Sequence, residues 1–151
     1  MHRFSGTFEH AIDDKNRVAI PAKFREALSG LQDERLMVTR FRSGAWRCLD
    51  VYPVSAWEDL EAKLLAKRRF DPRVQQFKRG YIAGAHECGL DGQGRILLPQ
   101  HLRDYAGLKR DVVFTGDIDM FKVWNHDTWK RLFDEDEQIF DQPELLDGLE
   151  L

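Results

Sequence analysis

Hydrophobic and polar positions fall into the same order twice along this chain. The stretch Phe8–Leu28, FEHAIDDKNRVAIPAKFREAL, aligns without a gap on His86–Ala106, HECGLDGQGRILLPQHLRDYA, at an offset of 78 residues. Identity holds at Glu9/Glu87, Asp13/Asp91, Arg17/Arg95, Pro21/Pro99 and Arg25/Arg103, and apolar character at Ile12/Leu90, Val18/Ile96, Ile20/Leu98 and Phe24/Leu102. The likeness returns in VYPVSAWEDL (Val51–Leu60) over VWNHDTWKRL (Val123–Leu132). A repeat of this order implies two copies of one structural unit.

Each copy predicts the same elements. A strand ends at Ile12 or Leu90, and a tight turn follows over Asp13–Asn16 or Asp91–Gly94, whose Asp, Asn and Gly residues tolerate left-handed backbone. The apolar runs Val18–Ile20 and Ile96–Leu98 predict return strands, and their lack of polar alternation predicts burial on both faces. Pro21 and Pro99 end them and suit a first helical turn, opening short amphipathic helices. Further strands are expected over Leu36–Thr39, Trp46–Tyr52, Val112–Thr115 and Met120–Trp124. A capping box at Ser55–Glu58 predicts a helix to about Lys67, and Asp127 is the expected cap of its counterpart. Asp71-Pro72 opens a third helix ending near Gly84, and the tail from Asp134 is expected to be frayed or disordered beyond its first turns. The fold class is α+β: unit 1 over 7–54, a helical connection over 55–82, unit 2 over 83–126, and a terminal helix with an acidic tail over 127–151.

Composition adds bounds. The 151 residues are 42% apolar and 32% charged, as expected of a soluble globular chain, and too few for the large dinucleotide-binding or barrel enzymes. No apolar run approaches the length of a membrane helix, and MHRFSGTFEH lacks the apolar stretch of a signal peptide. Cys48 and Cys88 show no metal-ribbon spacing, which fits two free thiols in a reducing cytoplasm. The net charge of −3 hides an asymmetry: 1–80 carries 16 basic and 11 acidic residues, and 81–151 carries 7 and 15. A near-neutral chain can thus present one cationic face.

The chemistry-bearing repeat is Asp-x-x-x-Arg across each turn, Asp13…Arg17 and Asp91…Arg95. On spacing alone this is a turn-pinning ion pair of a common and weak kind. The alternative is an arginine oriented by its aspartate and offered to phosphates or guanine edges. Two hairpin aspartates also suggest a hydrolase dyad sharing a proton, but an arginine four residues on holds each carboxylate ionised. His86-Glu87-Cys88 offers metal-ligand types without a fourth partner, and His2, His10, His101 and His126 are scattered, so no metal or other cofactor is expected. Trp46, Trp57, Trp124 and Trp129 read as core or protomer-interface residues.

Asp-x-x-x-Arg followed by three apolar residues, proline and a short helix resembles the SpoVT/AbrB swapped-hairpin DNA-binding unit. Two such units, with IDDKNRVAIPAKFREAL and LDGQGRILLPQHLRD as the most specific stretches, resemble the bacterial MraZ family of transcriptional regulators from Phe4 to about Phe133. The resemblance implies two units packed about a pseudo-twofold axis and protomers assembled into rings. It also implies basic hairpins that bind short direct repeats in the promoter of the family's own cell-division and cell-wall gene cluster. It makes Arg17 the principal contact to double-stranded DNA, with Asp13 orienting it and Lys15, Lys23 and Arg25 nearby. Arg95 and Arg103 match the pattern in unit 2, with Asp91 as the turn-orienting residue, though that turn carries no lysine. Where many members have glycine before the first arginine, this chain has Asn16, which also tolerates positive φ. A non-catalytic regulator at the nucleoid is therefore expected, with an antitoxin-like interaction module as the alternative.

Overall fold

A computed structural model describes residues 3–31 and 34–151; His2 lies outside them. Among the described residues, eight strands and six α-helices run in the order β1 (Thr7–Ala11), β2 (Arg17–Ala19), α1 (Ala22–Ser29), β3 (Leu36–Ser43), β4 (Trp46–Pro53), α2 (Val54–Leu65), α3 (Pro72–Phe77), β5 (His86–Cys88), β6 (Arg95–Leu97), α4 (Gln100–Tyr105), β7 (Asp111–Asp117), β8 (Met120–Asn125), α5 (His126–Asp136) and α6 (Pro143–Asp147).

The two copies exchange strands. Six strands form one antiparallel sheet in the order β1-β7-β8-β4-β3-β5. Thus β1 of the first copy completes the β7–β8 hairpin of the second, and β5 of the second completes the β3–β4 hairpin of the first. The centre is the β4–β8 pair, with Leu49 opposite Val123 and Val51 opposite Phe121. The return strands β2 and β6 leave this sheet and pair with each other, Val18 opposite Ile96. Neither copy could bury its hairpin alone, so strand exchange makes the two units one hydrophobic core. That core holds Val18, Ile20 and Phe24 with Ile96, Leu98 and Leu102, closed by Phe4, Phe114 and Phe121. The Phe24 ring lies 4.7 Å from that of Phe121 and edge-on to Phe4 at 5.4 Å.

Several local expectations are corrected. The return strands are not buried on both faces: Val18 and Ile96 point inward, but Leu97 is 61% exposed. A two-stranded ribbon has only one face against the core, so its other face stays open however apolar the run. Ser55 makes no capping bond; α2 starts at Val54 behind Pro53, whose lack of an N–H already suits it to a helix boundary. Asn125, not Asp127, caps α5, its Oδ1 accepting from the Asp127 and Thr128 amides at 2.9 and 3.1 Å. Asp71 does cap α3, but the helix widens into a π turn over Lys78–Ile82. Beyond its first turns the acidic tail is helical rather than irregular: it runs through a 3₁₀ turn, Glu137–Asp141, into α6. Proline at the first position of α6 pre-sets its φ.

Candidate nucleic-acid interface

Both turns are built around their aspartate. Asp13 Oδ1 accepts from the amides of Lys15 and Arg17, each at 2.9 Å, while Oδ2 accepts from Arg17 Nε at 3.0 Å. Asp91 repeats this with the amides of Gln93 and Arg95 at 2.8 and 2.9 Å and with Arg95 Nε at 2.9 Å. The amide bonds from Arg17 and Arg95 lead the causes that hold the two carboxyls below the usual carboxylate range. The spacing Asp-x-x-x-Arg is therefore geometric. One carboxylate satisfies the turn's amides and fixes the guanidinium beyond them.

Asn16 and Gly94 occupy the matching left-handed position, at φ 65° and 73°. Asparagine adopts this backbone at modest cost and β-branched residues do not. Asn16→Val is expected to lower stability by about 1–2 kcal/mol and Asn16→Gly by almost nothing, as read by chemical denaturation.

Pairing of β2 with β6 brings the two turns together. The ladder continues past the strands, with the Ile20 amide donating to Gly94 O at 2.9 Å and the Leu98 amide to Asn16 O at 3.2 Å. With Val18 and Ile96 inward, strand alternation turns Arg17, Ala19, Arg95 and Leu97 outward, Arg17 facing Leu97 and Ala19 facing Arg95. The arginines are not equivalent. Arg95 also reaches Asp13 Oδ2 at 3.8 Å and so braces both turns. A carboxylate pair separated by such a guanidinium cannot share a proton, so the aspartate-dyad reading has no geometric support.

The helix arginines cross over to the opposite copy. A methyl group on Gly94 would meet Arg25 Cδ at 2.5 Å, so Arg25 lies against the second turn. Arg103 lines a surface hollow with Asp13, Asp14 and Asn16 of the first turn, and its Nε donates to Leu98 O at 3.0 Å. Sequence order suggests Arg25 beside Arg17; strand exchange places it at the other tip. Lys15 and Lys23 are exposed. The His86-Glu87-Cys88 trio does not converge. Glu87 pairs with Arg35 at 2.9 Å, while Cys88 is buried and its thiol pushed up to about 11 by that burial.

Sequence reasoning missed a buried polar cluster at the sheet centre. Asp50, 3% exposed, accepts from Lys122 Nζ at 2.6 Å and from the Tyr81 hydroxyl, which itself lies 2.7 Å from the Tyr52 hydroxyl. Burial pushes the Asp50 carboxyl up, while Lys122 and Tyr81 pull it back. The available signal was one charged residue set between apolar neighbours in each of two strands, Asp50 in CLDV and Lys122 in MFKV.

Comparison with known proteins agrees with this tandem geometry. The profile of a family described as "MraZ protein, putative antitoxin-like" matches the chain twice, over residues 3–80 and 81–147. A protein of Thioalkalivibrio sulfidiphilus called "Transcriptional regulator MraZ" is 39% identical over 98% of this chain and 99% of its own length. Proteins of the same name from Desulfitobacterium hafniense and Acetivibrio thermocellus are 44% and 42% identical, over 83% and 84% of both chains. With two matched copies, strand exchange between them and relatives aligned almost end to end, the chain belongs to the MraZ family.

Proposed function

We propose that this chain is a sequence-specific DNA-binding transcription regulator whose β2–β6 ribbon is the reading surface. The observation that carries the reading is the union of two aspartate-cradled arginine hairpins into one outward ribbon. A two-stranded ribbon fits the major groove, about 12 Å wide, and an oriented guanidinium can bond a guanine edge with two parallel hydrogen bonds. Arg17 is the principal base contact and Asp13 orients it. Lys15, Arg25 and Arg103 lie on or beside the turns and, with the exposed Lys23 in the first turn of α1, neutralise phosphates. Arg95, tied to both aspartates, mainly holds the ribbon together. The names of the relatives support the regulatory role.

The target is a set of short direct repeats in a promoter, that of the chain's own cell-division and cell-wall gene cluster. One ribbon places few cations on DNA, so useful affinity comes from a homo-oligomeric ring engaging several repeats at once. The protein acts without catalysis, in the cytoplasm at the nucleoid.

A salt titration on a fragment carrying the upstream repeats tests the electrostatic part. Log affinity is expected to fall linearly with log salt, with slope about −0.9 per phosphate neutralised, and to be steep. A flat response would contradict a cationic reading surface.

A further inference from the structure

The pseudo-symmetry of the chain breaks at two equivalent places. Helices α2 and α5 each come directly after the second strand of a hairpin, α2 packing on β3 and β4 and α5 on β7 and β8, at opposite halves of the sheet. The stretches that start in the last turn of each helix and run on beyond it carry opposite charge. Residues 63–79 hold seven basic residues and a single acid, Asp71, which is bonded to Arg73. Residues 134–151 hold eight acids and no lysine or arginine.

Both places also expose apolar side chains. At the end of α2 and just beyond it, Leu65 and Phe70 are 81% and 83% exposed, and Leu64, Leu65, Lys78 and Ile82 line a shallow groove. In the tail, Phe140 is 73% exposed and Leu145 and Leu149 are more than half exposed. Large apolar groups in this number, left in water and rimmed by one sign of charge, mark an interaction surface.

We infer that the acidic, apolar tail of one protomer docks on the basic, apolar α2–α3 ridge of a second copy of this chain. The inference rests on the self-assembly part of the reading above and names the surfaces that mate. Apolar residues on both sides supply the buried area, and the opposite charges around them set orientation and exclude tail-to-tail or ridge-to-ridge contact. Since the surfaces lie at opposite halves of the sheet, the contact is head-to-tail, the kind that builds a ring when its rotation closes. It leaves the β2–β6 ribbon outside the contact.

Charge exchange in the full-length chain tests this. A ridge variant, Arg68→Glu with Arg69→Glu, and a tail variant, Glu144→Lys with Asp147→Lys, are compared by sedimentation without DNA. All four residues are exposed, so the fold should survive. Each variant alone should associate at least about tenfold more weakly than the unaltered chain. An equimolar mixture should regain assembly, because the reversed tail meets the reversed ridge; a misfolded variant could not be rescued by mixing. Either variant assembling like the unaltered chain, or a mixture no better than its parts, would overturn the docking mode while leaving DNA binding untouched. An unaltered chain that stays a 17.7 kDa monomer at micromolar concentration would overturn the docking and the self-assembly reading together.

Discussion

Arg17→Ala is expected to weaken specific DNA binding by about 1–3 kcal/mol per engaged protomer, the scale of a lost bidentate base contact. With several protomers engaged at once, as proposed, the losses should compound towards no detectable complex. The fold should tolerate the change, since Asp13 keeps the amides of Lys15 and Arg17 that shape the turn. Arg95→Ala should behave differently. Its guanidinium bonds Asp91 and lies 3.8 Å from Asp13, so its loss removes a brace between the two turns. Lower thermal stability or looser assembly is expected, with the base contact itself spared. Titration of both variants on one promoter fragment, with melts and size-exclusion profiles alongside, separates the roles. If Arg95→Ala abolishes binding in a well-folded assembly and Arg17→Ala does not, the assignment is inverted.

The largest effect on stability should come from the sheet centre. Lys122→Ala leaves the Asp50 carboxylate buried without its cation and is expected to cost about 3–5 kcal/mol. Replacing both groups, as in Asp50→Asn with Lys122→Met, removes the orphaned charge and should recover most of that loss. The sign of the pH response identifies the cause. A carboxyl whose folded pKa is raised binds more protons in the native state, so stability grows as pH falls through the raised value and drops as pH rises past it. Lys122→Ala should therefore regain stability on mild acidification from neutrality, and the double variant should not. Urea unfolding at two pH values reads both effects. A loss below about 1 kcal/mol would mean that water reaches Asp50 and screens it.

The turns were legible because local chemistry decides them. Asp13 and Asp91 fix their turns through amides two and four residues on, and Asn16 stands where Gly94 stands. The repeat likewise disclosed two copies. What the residues alone did not disclose is which strand pairs with which, since β1 with β7 and β3 with β5 are set by tertiary register. That exchange carries Arg25 to the second turn and opens Leu97 to solvent, outcomes that no window around either residue encodes. The central pair escaped for the same reason: Asp50 and Lys122 lie 72 residues apart and meet only across β4 and β8. The helical tail was missed because a run of acids reads as solvated coil, whereas Pro143 and the apolar residues among those acids permit helical turns.

The claim that the β2–β6 ribbon lies on DNA can be tested by tethered cleavage. The native thiols Cys48 and Cys88 are buried and held protonated, so one introduced surface cysteine can be labelled selectively with a hydroxyl-radical-generating chelate. Gln93→Cys places the reagent on the exposed tip of the second turn, and Lys67→Cys places it on the α2–α3 ridge. Strand cleavage is expected to be focused within the promoter repeats from position 93 and only weak and diffuse from position 67. Focused cleavage from position 67 with none from position 93 would contradict that claim.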